Sequence, residues 1–504
     1  MAMTSTRDGM QEHVTERVVY ERDALGRVTK ETQWLANVNP NTNANTKTKA
    51  GGFNFVTKNT YDIDGRLISQ ILPDGHRLTY RYGPFENSVT HSGQPVQLEA
   101  ILFDERIVIS NIENSIVGGL RGYTMGNGIR HKISLDHNGR IKKLQYSSDI
   151  VRSWWQYVDT WIFKSDSTTQ PLYEQSNSYD NGGRIVKIDR ISSANSINDV
   201  ENYSDLYEYD AMNRITTTSM HGESKTRFQY DKNGNRTAEI FDSIRMKKIT
   251  ADAELPTAKN FSFHYASGSN RLLAVTQNAL LDSARIFDRQ SDNETQRKKI
   301  DNIPTLNSAW FYHPTGIHLT QLRWKNFEED AQRIVYNISK RPIAVYHNEQ
   351  LNSLYFYDIK GERIARTNYP PHKTGIAKNT NSPEFRPYTS YSLYRDQRLA
   401  AETDDEGHIT DHYIYLYGKP VAKIEMVPNR SIVRKLLNFF SFKLGKNTTD
   451  FVGVIYSIIT DHLGTPQLVI DSSRKTVWQG DTTAFGKTQV RYAALSKTTG
   501  TNFK

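Results

Sequence analysis

Tyr61-Asp62-Ile63-Asp64-Gly65-Arg66 decides how the rest of the chain is read. A type I turn favours Asp at its first position, where the carboxylate accepts backbone N–H bonds, and Gly at its fourth, where the chain turns to positive φ. Asp-x-x-Gly meets both demands. The pattern returns at Asp23-Ala24-Leu25-Gly26-Arg27, at Asp136-His137-Asn138-Gly139-Arg140 and at Tyr179-Asp180-Asn181-Gly182-Gly183-Arg184. Looser copies are Tyr209-Asp210-Ala211-Met212-Asn213-Arg214, Tyr230-Asp231 leading to Gly234-Asn235-Arg236, and Tyr357-Asp358 leading to Gly361-Glu362-Arg363. Asn213 stands for Gly in one of them, and Asn is the next residue type to tolerate the left-handed region.

The flanks alternate, as in Tyr207-x-Tyr209 and Phe228-x-Tyr230 before the turn and Leu67-x-Ser69-x-Ile71 after it. That is the two-residue period of a strand with one apolar face, so each copy predicts a β-hairpin. The Arg after the Gly is expected to lie over the Tyr ring or to pair with the turn Asp, tying together the two strand ends of its own hairpin. The predicted fold class is all-β: a ribbon of hairpins spiralling into a hollow, partial shell, open at its C-terminal end, with a short helical insertion.

The composition agrees with a thin sheet. Apolar residues make up 37% of the 504, below the ~45–50% of ordinary globular domains. Aromatics nevertheless reach 11%, too many for a disordered chain. Cysteine is absent, which excludes disulfides, thiolate nucleophiles and Cys-ligated metals. Neither a signal-peptide core in the first 20 residues nor an apolar run of membrane-spanning length occurs, so export without a cleaved leader is the expectation. A net charge of +9 spread along the chain gives no reason to expect a specific nucleic-acid partner.

Along the chain, residues 1–16 read as a polar lead-in and 17–241 as the first part of the repeat sheet. Residues 242–309, charged and poor in strand patterning, read as an irregular insertion with one short helix near 278–289. The sheet resumes over 310–426; 427–451 reads as a basic amphipathic helical insertion, with Ile432, Leu436, Phe439, Phe440 and Leu444 on one side. Residues 452–490 hold the stretch from Thr460 to Gly486, and 491–504 read as a C-terminal tail.

Two further stretches sharpen the picture: Tyr415-Leu416-Tyr417-Gly418-Lys419-Pro420-Val421-Ala422, and Thr460-Asp461-His462-Leu463-Gly464-Thr465-Pro466-Gln467, with Val477-Trp478 and Ala484-Phe485-Gly486 after it. Together with the Tyr-Asp repeats they resemble the Rhs/YD-repeat proteins, and Asp461 to Pro466 is similar to the start of the Rhs repeat-associated core. The resemblance covers roughly 15–490. It implies a β-sheet shell enclosing a toxin or related cargo in a bacterial weapon or insecticidal complex, and animal adhesion proteins resemble the same fold. In the bacterial family the core runs on to an Asp-Pro-x-Gly self-cleavage motif; this sequence stops at Lys504 without one, so neither the cleaving aspartates nor a toxin tail is carried over. A fragment, a degraded gene product and half of a split shell all remain open.

No phosphate loop, dinucleotide fingerprint, Gly-x-Ser-x-Gly or paired His at metal spacing occurs, and no cofactor is expected. Asp461 and His462 read as turn residues, because nothing marks a nucleophile beside them. The expected function is a non-catalytic shell acting by confinement, made in the bacterial cytoplasm and delivered without a classical signal peptide. Its expected partners are a toxin polypeptide or a second chain completing the wall, with secretion-machine components and glycans as further candidates. The alternative is a cell-surface adhesion or carbohydrate-binding module, with Trp154-Trp155 and Trp161-Ile162-Phe163 as its grip.

Overall fold

The computed structural model describes all residues except 1, 9–10, 39–50, 84–96, 116–118, 149–170, 194–200, 222–223, 244–259, 278–305, 313–317, 326–327, 371–385, 429–450 and 494–504. The described residues form thirty-three strands, from β1 (Ala2–Asp8) to β33 (Thr488–Ala493), and no helix. Each strand pairs antiparallel with the next in the sequence. The first and last strands are not paired with each other among the described residues, so the sheet is one open, meandering ribbon.

Every turn of the repeat is a type I turn closed by a residue in the left-handed region, which forms a bulge. In the founding copy Gly65 N–H donates to Asp62 O at 3.1 Å and Asp62 N–H donates to Arg66 O at 3.0 Å. Gly65 sits at φ +83° and Asn213 at +61°. A second irregularity lies at the Tyr before each turn: Thr60 pairs with Ser69 but Tyr61 with Leu67, leaving Ile68 unmatched. The same slip occurs at Tyr179, Tyr209, Tyr230 and Tyr357. Bulges raise the local twist, so a ribbon bulged at hairpin after hairpin along one edge coils.

Coiling brings the ribbon back over its own beginning. Tyr391, in β26 (Tyr388–Arg395), donates to Asn37 Oδ1, just past β3 (Val28–Ala36), 354 residues away. Further along, His412 in β28 (Ile409–Leu416) meets Asp74, and Asn127 meets Asp471, at separations of 338 and 344. Near the end, Gln175 in β12 (Pro171–Tyr179) meets His462 and Phe228 packs on Phe485. One circuit therefore takes about 16 to 23 strands, which at ~4.8 Å per strand makes a loop of roughly 75–110 Å, about 25–35 Å across.

The main apolar core lies only where the two passes overlap. Its first-pass members run from Leu35 to Tyr173 and its second-pass members from Ile364 to Ile470. None comes from between those limits. On that intervening arc the buried positions mix Ile188, Phe228, Ala274 and Val275 with Arg190, Ser192, Asp205, Thr217, Thr226, His264 and Ser353. The arc adds no buried residue to the main core, although Phe228 packs on Phe485 and Phe356 lies against the core's edge.

Two expectations need correction. Residues 1–16 are no loose lead-in: β1 pairs with β2 (Gln11–Arg22) from Ala2↔Val18 to Asp8↔Gln11. Within 242–309 the ladder continues, with β18 (Phe261–Tyr265) paired to β19 (Leu272–Gln277) around a turn at Ala266. Leu272-x-Ala274-Val275 carries little alternation, so periodicity missed it. The helix-like stretches at 278–289 and 432–444 and the Trp154–Phe163 cluster lie outside the described residues.

Candidate functional site: the latched rim and the inter-pass seam

Since sequence neighbours are sheet neighbours, all turns that follow an even-numbered strand share one rim. The turns at Asp23, Asp62, Asp136, Asp180, Asp210, Asp231, Asp358 and Asp461 all do so. Side chains therefore meet from one turn to the next. Asp180 Oδ1 accepts Arg184 N–H at 2.9 Å and Oδ2 accepts Arg184 Nε–H at 2.6 Å. The guanidinium then lies over Tyr209 at 5.0 Å, and Tyr209 donates its hydroxyl to Ile185 O at 2.7 Å. Tyr209 belongs to the following hairpin.

The same latch joins Arg27 to Tyr61, Arg66 to Tyr82, Arg140 to Tyr179 and Arg214 to Tyr230, at 4.3–5.2 Å. The expectation that each Arg ties its own hairpin to its own Tyr is thus half right. Arg does pair with its own Asp, but the Tyr it covers is in the next unit, so the latch links repeats in series. The backbone N–H and the guanidinium of Arg184 hold the Asp180 carboxyl below its ordinary value, and Asp210 is held down likewise by Arg214. Their support is complete above the ordinary carboxylate range and is lost as pH falls through it.

Two copies differ from the sequence reading, because their Arg comes one residue late. At Asp231 the latch position holds Asn235, whose Nδ2–H donates to Asp231 Oδ2 at 2.8 Å; Arg236 instead lies over Phe263 and Phe485. At Asp358 it holds Glu362, whose N–H alone reaches the carboxylate, while Arg363 lies over Tyr355. One latch escaped the pattern altogether. Asn337 Oδ1 accepts Arg341 N–H, Lys340 takes the left-handed position at φ +61°, and Arg341 covers Tyr357 at 5.7 Å. Tyr336 before it and Arg341 after it were its legible marks.

These geometries set expected outcomes. Lys340→Gly relieves a strained backbone and raises stability by about 1 kcal/mol. Glu362→Arg completes the defective latch and adds about 0.5 kcal/mol, while Tyr179→Phe, which loses the 2.8 Å bond to Ile141 O, removes about 1 kcal/mol. Urea midpoints of the three variants check the signs, and a stabilising Tyr179→Phe would discount the latch.

Asp461-His462-Leu463-Gly464-Thr465 makes the same turn. Asp461 Oδ1 accepts Leu463 N–H and Thr465 N–H, both at 2.9 Å, and Gly464 is at φ +89°. Pro466 opens β31 (Pro466–Ile470). His462 points into the seam, and Lys419 Nζ–H donates to its carbonyl at 2.8 Å. Around it the buried Tyr146 hydroxyl accepts Thr460 N–H at 3.3 Å, and His131 lies 4.5 Å from both Tyr123 and Tyr146. Burial, with Lys419 nearby, pushes the His131 pKa down to about 3. Asp461 is committed to its turn, and no group of three or more His, Cys, Asp or Glu positioned for a metal occurs among the described residues.

At the other end of the overlap His412 Nε2 is 2.7 Å from Asp74 Oδ2, and His76 Nδ1 is 2.5 Å from Asp104 Oδ2. Phe103 fills the space between the two imidazoles. Beyond the overlap, a cleft of about 590 Å³ lies between the arc and the last strands, with Arg190, Asp205, Arg236 and Phe485 among its walls. That is the size of a small-molecule site. No helix among the described residues is long and apolar enough to cross a membrane.

Residues 455–491 match the family described as RHS protein. In sequence the chain is 23% identical over 289 residues to the double-stranded DNA deaminase toxin A of Burkholderia cenocepacia (strain H111), covering 56% of this chain and 17% of that protein. In structure it is similar to the TcdB2-TccC3 crystal structure, with a TM-score of 0.55 and 13% identity over 98% of this chain and 23% of the other. It is also similar to the Photorhabdus luminescens Tc holotoxin pore, with a TM-score of 0.52 and 13% identity over 96% of this chain and 22% of the other. The structural likeness shows a common fold, and the chain spans about a fifth of the length of these relatives. The RHS match falls on the strands and turns on either side of Asp461, at the end of a latched Tyr-Asp hairpin ribbon, and in both respects the chain is similar to Rhs/YD-repeat proteins.

Proposed function

We propose that this chain is a stretch of curved wall in a toxin shell, acting without chemistry of its own by confining a toxin polypeptide. One observation carries the reading: the ribbon returns on itself after 287 to 354 residues, while the arc between adds no buried residue to the main core. A loop about 25–35 Å across leaves room for a polypeptide, whereas a two-sheet sandwich would not. The relative from Burkholderia is named for a deaminase, and the part of it aligned here is a small fraction. This chain is the structural share of such a protein, and a second chain or a longer polypeptide completes the wall.

Protease protection tests this. A reporter peptide fused after Lys504, in the longest polypeptide the gene encodes, is expected to resist trypsin while the wall is intact and to be cleaved once the overlap is opened. Equal cleavage in both states would end the confinement reading. Deaminase activity in the purified chain would end the non-catalytic one.

A further inference from the structure

We infer that the overlap between the two passes is a two-ended, pH-responsive joint, whose His462 end loosens, and whose His76–Asp104 clasp on the first pass tightens, as the medium acidifies through the histidine range. The hydrogen bonds set the polarity of each end. At the first end each imidazole meets one carboxylate, and His76 Nε2 is buried without a hydrogen-bond partner. His412 Nε2 meets Asp74 Oδ2 across the passes, and His76 Nδ1 meets Asp104 Oδ2. A carboxylate accepts an N–H and gains from a positive ring, so protonation of His76 adds attraction to Asp104 within the first pass. Arg106, also close to Asp104, is the one cation opposing it.

The second end has the opposite wiring. Gln175 is fully buried, and its amide is fixed on two sides: Tyr173 donates its hydroxyl to Oε1 at 3.2 Å and Nε2–H donates to Asn177 Oδ1 at 2.7 Å. The other Nε2–H therefore points at His462 Nδ1, 2.7 Å away, which must accept. A protonated His462 would set two donors against each other. Arg190 and Lys419 also face this ring and disfavour its cation, with Asp461 alone favouring it. Gln175 belongs to the first pass and His462 to the second, so the clash forces the passes apart.

The electrostatics agree in sign with the geometry. Burial lowers the His76 pKa, but Asp104 and Asp74 more than reverse it, so its value is raised; the stabilisation is full below the ordinary histidine range and fades as pH rises through the raised value. Burial lowers that of His462, with Arg190 and Lys419 assisting, so closure at that end weakens as pH falls below the ordinary range.

Hydrogen exchange on the full chain, with exchange times scaled for the intrinsic rate, tests this at about pH 7.5 and about pH 5.5. On acidification, protection of β12 and of β30 (Phe451–Thr460) is expected to fall at least about threefold, while that of β6 (Arg77–Tyr82), which follows His76, rises. His462→Gln is expected to abolish the fall and keep the rise. His76→Gln is expected to diminish the rise and keep the fall. The wild-type profile alone suffices should a variant not fold: both ends moving together, or neither moving, overturns the proposal, as does a fall that persists in His462→Gln.

Discussion

Phe103→Ala is expected to lower unfolding stability by about 3–5 kcal/mol, the range for emptying a fully buried aromatic site. Phe103 is 0% exposed and sits where the passes meet. His76 stacks on it at 5.2 Å, His412 lies at 6.1 Å, and a methyl group on Gly453 of the second pass would strike its ring. The site cannot collapse readily, because rigid sheet flanks it on both sides. Urea unfolding measures the loss, and Ile63→Ala, at 95% exposure on a turn tip, serves as a control expected within about 0.5 kcal/mol of the parent. A loss below about 1 kcal/mol at Phe103 would mean the passes are not packed together as described.

Asp205→Ala is expected to cost a similar amount, about 3–5 kcal/mol, for a different reason. Asp205 is 0% exposed, pairs with the Arg190 guanidinium and accepts His221 N–H at 3.0 Å. Truncation strands the Arg190 charge in a place where its Nε already lacks a partner. Replacing both, as Asp205→Ala with Arg190→Met, is expected to recover most of the loss, because the damage comes from the orphaned charge and not from the absent pair. A double variant as unstable as the single one would refute that account. Nothing in the sequence marked this pair, since Arg190 and Asp205 lie in strands whose alternation reads as ordinary.

The turns were legible because their chemistry is local. Asp62 and Gly65 act within four residues of each other, and the left-handed position admits few residue types, so their spacing exposes them. Where the residue types drift, as in Asn337 with Lys340, or where the Arg slips by one, as at Arg236 and Arg363, local pattern misleads about which side chain closes the latch. Gly126 shows the limit from the other side. A methyl group there would land on the Ile107 carbonyl oxygen, backbone that cannot step aside, yet in the sequence it is only one of two glycines in a turn.

The sequence by itself determined the hairpin as the unit, from residue types a few positions apart, and the shortage of apolar residues for a thick core, from composition. Tertiary structure alone decided that a latch reaches forward to the next hairpin, that the passes overlap with Gln175 against His462, and that Asp74 meets His412. Those contacts join residues 287 and 338 positions apart, and they depend on the summed twist of some twenty strands, a quantity no short stretch of chain encodes.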